Sequence, residues 1–317
     1  MTVRIGQTIK LISVGAHLAL AAELAAELDL SLEPMELTAF ADGEGKVLLA
    51  SDLRGADVYL LQPTSPPVND HLMHLTLAID AARAAGARRV TAIVPYFGYA
   101  RQEQRGRTGE PRSAQVVARL LASVGLDRLV TLDLHAPALE SAFPMPATLL
   151  GCEELFVPLV KSWAIQDLVV VSPDAGGMKR AQRFAARLNA GLAVVAKERP
   201  QPDKAAALAV LGDVRDRACL LVDDMASTGR TLAGAAESLH RAGAREIHAV
   251  FTHAVMGPDA LQRLLAAPLA RIAATDSIAA ARHPRLEIVR TAPLLAKTVR
   301  YLHGDAPEAG IEKPNEK

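Results

Sequence analysis

Short apolar runs alternate with alanine-rich stretches along the chain, and this rhythm limits the fold more than any single motif does. VYLLQ at 58–62, VTAIVPYF at 90–97 and LVTLDL at 129–134 are nearly continuous in apolar residues. Strands buried on both faces of a parallel sheet have that composition. Between them, residues 16–29 (AHLALAAELAAELD), 69–85 and 113–124 read as helices. A second series follows, with strands at LVVVSPD (168–174), LAVVAKE (192–198), ACLLVDD (218–224) and EIHAVFTHAV (246–255). Its helices fall at 178–189 and 229–242, and a last helix covers 292–303. The tail 304–317 is polar, with Pro and Glu, and reads as flexible. Parallel strands need long crossovers, so the alternation predicts an α/β chain of mainly parallel sheets covered by helices.

With 317 residues the chain has room for two domains. RAAGARRVTAIV at 83–94 and HRAGAREIHAVF at 240–251 share an order of helix end, Gly, Arg and buried strand. Helix–Gly–strand junctions are common, so the match reads either as coincidence or as two copies of one α/β domain. On the second reading the boundary falls near 150–153. Thirty-five basic residues balance thirty-five acidic ones. That balance argues against a bulk electrostatic grip on nucleic acid. No apolar run reaches the length of a membrane span, and the N-terminus MTVRIGQTIK lacks a signal-peptide core. Cys152 and Cys219 lie in apolar surroundings without CxxC spacing, which suits buried free thiols and a cytoplasmic location.

Five stretches carry candidate chemistry. In VDDMASTGRT, Val222 to Thr231, an apolar strand ends in Asp223 and Asp224 before a Gly-containing, hydroxyl-rich loop and a helix. Loop amides and a helix N-terminus form an anion nest. Acids at the carboxyl end of a strand sit where ligands of open α/β sheets bind, and their partners are sugar hydroxyls or a metal. No GxxxxGK[ST] loop occurs. In VVVSPDAGGMKR, Val169 to Arg180, a second buried strand ends in Asp174, and oxygen ligands with open coordination suit Mg²⁺. Lys197 and Arg199 share one face of an extended segment, either as a solvated strand end or as a pair awaiting an anion. The long loop Pro95 to Gln115 holds an aromatic cluster and a run of Arg and Gln that could take a base and phosphates. At Asp133-Leu134-His135 a strand end puts Asp133 and His135 on one face. Because Mg²⁺ prefers oxygen, chemistry alone makes His135 a hydrogen-bonding residue.

Taken in order, FADGE (40–44), RGADVYLLQPTSPPVNDHLMHL (54–75), PYFGYARQ (95–102), TLDLHA (131–136), VVVSPDAGG (169–177), KERP (197–200) and VDDMASTGRT (222–231) resemble the ribose-phosphate diphosphokinases. The similarity spans about 35–300. It implies two tandem phosphoribosyltransferase-like domains. One covers 1–151, completed by the helix 292–303, and serves ATP. The other covers 152–291, serves ribose 5-phosphate, and is alone in keeping the sugar-phosphate loop. By the same resemblance Asp223 and Asp224 hold the ribose hydroxyls, and Ser227, Thr228, Gly229, Arg230 and Thr231 bind the 5-phosphate. Phe40, Asp42 and Glu44, with Arg101 and Gln102, surround ATP, partly across an interface in a homo-oligomer. His135 and Asp174 become Mg²⁺ sites, and Lys197 and Arg199 the catalytic cations. The loop departs from the family's usual DTGGT in reading STGRT. Gly109 stands near where commoner members carry Arg, Thr148 near where they carry Asp, and a Ser-rich segment is missing after the last helix. The STGRT loop implies a changed affinity for the sugar and Thr148 a less fixed base specificity, while Gly109 and the missing Ser-rich segment imply that phosphate activation and ADP inhibition are weak or absent.

Overall fold

The computed structural model describes residues 8–197, 208–279 and 283–304. They divide into two compact units, one of 8–150, 277–279 and 291–304, the other of 151–276 and 283–290.

The first unit runs β1 (Ile9–Ser13), α1 (Leu18–Glu27), β2 (Leu32–Glu33), β3 (Met35–Ala39), β4 (Gly45–Leu49), β5 (Asp57–Leu61), α2 (Val68–Ala84), β6 (Arg89–Val94), α3 (Ser113–Ser123), β7 (Arg128–Leu132), a 3₁₀ turn (Pro137–Ala142) and β8 (Ala147–Leu150). Six strands form an all-parallel sheet in the order β2-β1-β5-β6-β7-β8. The sequence DVYLL explains the central place of β5, since every one of its residues is buried. β3 and β4 form a separate antiparallel hairpin. β6 stops at Val94 because Pro95 has no N–H to add to the ladder.

The second unit runs α4 (Glu153–Ser162), β9 (Leu168–Ser172), α5 (Met178–Leu188), β10 (Gly191–Lys197), β11 (Leu208–Leu211), β12 (Ala218–Ala226), α6 (Arg230–Arg241), β13 (Glu246–Ala254), α7 (Pro258–Ala266), β14 (Arg271–Thr275) and β15 (Leu286–Val289). Its sheet is ordered β11-β10-β9-β12-β13-β14-β15, with β10 and β11 antiparallel and the other pairs parallel. The closing helix α8 (Ala292–His303) belongs to the first unit, where it packs along α1.

The matched junctions at 83–94 and 240–251 have the same cap. Gly86 (φ 85°) and Gly243 (φ 88°) are left-handed. The next N–H reaches back to a helical carbonyl in each case, Ala87 to Ala82 at 3.1 Å and Ala244 to Leu239 at 3.0 Å. Glycine adopts that conformation at little cost, and the chain leaves the helix straight into a buried strand. The tandem α/β expectation is met. Cys152 and Cys219 are free and buried, and burial pushes the Cys219 thiol up to about 11. No helix among the described residues is long and apolar enough to cross a membrane.

Candidate active site

β12 is flanked by β9 and β13, which is why Ala218–Val222 is wholly buried. The strand does not end at the two acids. It continues to Ala226, still paired with Ala254 of β13, so Asp223 and Asp224 lie within the ladder. Both are largely shielded, with side chains 13% and 6% exposed. The Asp224 N–H donates to Asp223 Oδ1 at 2.9 Å. Ser227 and Thr228 follow, then Gly229, then α6.

Gly229 takes φ 70°, and a Cβ there would stand 2.8 Å from the Ala260 carbonyl of α7. Only glycine turns the chain so closely beneath a neighbouring helix. Arg263 of α7 donates to the Thr228 carbonyl, and Thr228 Oγ1 accepts the Arg230 N–H at 3.4 Å. Thr228, Arg230 and Thr231 are exposed. The first-turn amides of α6, with these hydroxyls and Arg230 around them, suit a phosphate.

Two adjacent carboxylates in a shielded place repel each other. Burial, and next the charge of Asp224, push the Asp223 carboxyl well above the usual range, against the pull of Arg180. Arg180 lies in the first turn of α5 and is itself buried. Its Nη1 stands 3.6 Å from Asp223 and 3.4 Å from Asp224.

β9 stops at Ser172, so Asp174 occupies the exposed turn before α5. Its Oδ1 accepts the Gly177 N–H at 3.0 Å, and the Ser172 hydroxyl donates to its carbonyl at 2.6 Å. A single exposed carboxylate fits the way Mg²⁺ binds, through one or two carboxylates, substrate phosphates and retained water. Among the described residues no group of three or more His, Cys, Asp and Glu is gathered as a cage. Lys197 ends β10, while Arg199 lies outside the described residues.

In the first unit, Phe40, Asp42 and Glu44 share the turn between β3 and β4. The Phe40 N–H donates to the Glu44 carbonyl at 2.9 Å, and Asp42 Oδ1 accepts the Glu44 N–H at 3.1 Å. Phe40 is 57% exposed. Arg101 and Gln102 lie in the loop before α3, where Ser113 Oγ donates to Gln102 Oε1 at 2.5 Å. That loop and the 3₁₀ turn border a polar cavity of about 420 Å³ lined by Glu103, Arg105, Arg112 and Gln115.

Two expectations need correction here. Tyr96 and Phe97 are buried, with Phe97 edge-on to Phe143 at 5.3 Å, so these aromatics fill core instead of offering a face to a base. β7 ends at Leu132 and Asp133 takes φ 31°, so strand alternation stops before it could align Asp133 with His135. Asp133 is buried and His135 is exposed.

Comparison with known proteins gives this arrangement a lineage. The family model for the N-terminal domain of ribose phosphate pyrophosphokinase matches residues 9–125, and the phosphoribosyl transferase domain model matches 140–263. The chain belongs to the ribose-phosphate pyrophosphokinase family. Ribose-phosphate pyrophosphokinase A of Dictyostelium discoideum is 38% identical over 303 residues, covering 94% of this chain and 96% of that one. The ribose-phosphate pyrophosphokinase of Cereibacter sphaeroides is 41% identical over 92% of this chain and 90% of its own. The crystal structure of phosphoribosylpyrophosphate synthetase from Mycobacterium smegmatis aligns with a TM-score of 0.89 at 35% identity, over 95% of this chain and all of that one.

Within this pyrophosphokinase chain, sequence reasoning missed two arginines at the loop before α6 and at β12. Arg180 closes the stretch VVVSPDAGGMKR, but linear spacing does not tie it to Asp223. Arg263 lies 35 residues beyond the loop carbonyl it holds.

Proposed function

We propose that the protein is a ribose-phosphate diphosphokinase working through the residues set out above. It moves the β,γ-diphosphoryl group of Mg·ATP to the C1 hydroxyl of ribose 5-phosphate, giving 5-phosphoribosyl 1-diphosphate and AMP. One arrangement carries the reading: a shielded acid pair and an anion cradle follow each other on a single strand–turn–helix. Asp223 and Asp224 accept hydrogen bonds from the ribose hydroxyls. Ser227, Thr228, Gly229, Arg230 and Thr231 hold the 5-phosphate, with Arg263 fixing the loop.

Phe40, Asp42 and Glu44, with Arg101 and Gln102, bind ATP. The exposed turn that carries the first three completes the ATP site of a second copy in a homo-oligomer. Asp174 and His135 are Mg²⁺ sites, and the metal would neutralise phosphate charge there. Lys197 and Arg199 stabilise charge as the β-phosphorus passes from the AMP oxygen to the sugar oxygen. Positioning and charge neutralisation account for most of the catalysis in such transfers. The protein acts in the cytoplasm and has no nucleic-acid or membrane partner.

AMP release should depend strictly on ribose 5-phosphate and on Mg²⁺. Lys197→Ala and Arg199→Ala should each lower kcat by about 10²–10³ while leaving the melting temperature in place. Near-normal turnover in both variants would refute the assignment.

A further inference from the structure

The buried guanidinium of Arg180 has so far been only a neighbour of the acid pair. It enters from the first turn of α5, which follows the β9–α5 turn that carries Asp174. Side chains on a helix lean toward its N-terminus, and this lean carries a first-turn arginine back over the strand ends. Gly177 packs close beneath it: a Cβ there would lie 2.7 Å from Ser172 Oγ, and in ordinary contact with Arg180 Nη1 at 3.7 Å and Asp174 Oδ1 at 3.8 Å. The same nitrogen lies within 4 Å of both acids.

We propose that Arg180 is a positioning residue of the sugar site, holding Asp223 and Asp224 side by side and opposing their protonation, as a paired acceptor for the ribose hydroxyls. The role rests on the reading that this strand binds ribose 5-phosphate. Two shielded carboxylates without a cation would share a proton, as paired acids do. A protonated member has one acceptor fewer and forms weaker hydrogen bonds to a hydroxyl than a carboxylate does. Arginine suits the task because its charge persists at any working pH and its planar fork can face two carboxylates at once. Among the groups around Asp223, Arg180 opposes the protonation that burial and Asp224 favour. Asp224 on its own strand and Arg180 on α5 are the charges that act on it. On β13 its register partner is Phe251, with His253 opposite Met225 two residues on. β9 ends in Ser172, and Asp174 stands in the turn beyond.

The test compares wild type, Arg180→Lys and Arg180→Met. The aspartate side-chain carboxyls are ¹³C-labelled and followed by NMR titration without substrate, and KM is measured for each substrate across pH. In Arg180→Met the Asp223 titration should move to higher pH. KM for ribose 5-phosphate should rise about tenfold or more at neutral pH, recovering as pH is raised, while KM for ATP stays within about twofold. Arg180→Lys should restore most of both effects. A folded Arg180→Met protein with an unmoved Asp223 titration, or with KM raised equally for both substrates, would overturn the proposal. If Arg180→Met does not fold, the double variant Arg180→Met/Asp223→Asn decides. Removing one acid with the cation should restore folding, and continued failure would make Arg180 a packing residue. The carboxyl titration needs no turnover, so its outcome stands apart from that of the diphosphokinase reading.

Discussion

Asp223 is where binding and stability pull against each other. Its carboxyl in the folded chain sits above the ordinary value of 3.8 because burial and Asp224 both disfavour the charge. The folded state therefore holds its proton to higher pH than the unfolded state does. Stability falls as pH rises from about 3.8 toward the folded value, and the cost is complete above it. Asp223→Asn should accordingly raise the melting temperature of the ligand-free protein at neutral pH by a few degrees, ~1 kcal/mol being worth roughly 2–4 °C in a chain of this size. The gain should shrink on acidification and vanish near pH 3.8 in melts taken across pH. The same variant should lose stabilisation by ribose 5-phosphate. A lower neutral-pH melting temperature would show that the carboxylate is held without strain. The acid pair was legible in the sequence because two charges interrupt a strand otherwise made of buried apolar residues. Arg180 was not, because its tie to the pair depends on how α5 is aimed at β12, which no spacing along the chain encodes.

α8 is held to the first unit by a polar clasp beneath its last turn. Asp57, wholly buried at the start of β5, meets Arg88 at 2.5 Å, Arg89 at 2.6 Å and His303 Nδ1 at 3.1 Å. Arg89 also donates to the Leu302 carbonyl at 3.3 Å, and Arg300 donates to the Glu27 carbonyl at the end of α1. Asp57→Ala should cost about 2–3 kcal/mol in a denaturant melt. That is less than the 3–5 kcal/mol of a fully buried pair, since both guanidiniums keep some contact with water. A cost below about 0.5 kcal/mol would mean that α8 is held by its apolar face alone. Elements with continuous apolar runs or long alanine-rich faces stood out in the sequence, and their ends fell within a few residues of the observed ones. The β3–β4 hairpin did not, because its two short strands are mostly solvent-facing and contain no buried apolar run. α4 carries Pro158 inside it, which reads as a break, and β14, RIAAT, is short and half alanine-like in character. The site suffered from the same limit, since the turn with Phe40, Asp42 and Glu44 was legible through family resemblance and not through periodicity.

Across the molecule, one α/β plan serves two purposes. In the second unit the loop before α6 is open to an anion. In the first, the loop before α2 is closed by its own chain: the Gly98 N–H donates to Thr64 Oγ1 at 2.7 Å, and a Cβ on Gly98 would meet the Thr64 carbonyl at 2.7 Å. Control should differ from that of the commoner relatives as well. Gly109 takes φ 93°, a conformation an arginine would resist, so the charge that relatives place near here cannot simply be restored. Inorganic phosphate should change the rate at saturating substrate by less than about twofold. Strong phosphate activation reversed by ADP would contradict this. The most direct measurement follows the β-phosphorus. With ATP labelled there, Mg²⁺ and ribose 5-phosphate, the label should pass into the sugar diphosphate while AMP appears in equal amount. Label retained in ADP beside a singly phosphorylated product, or ATP loss that ignores ribose 5-phosphate, would contradict diphosphoryl transfer.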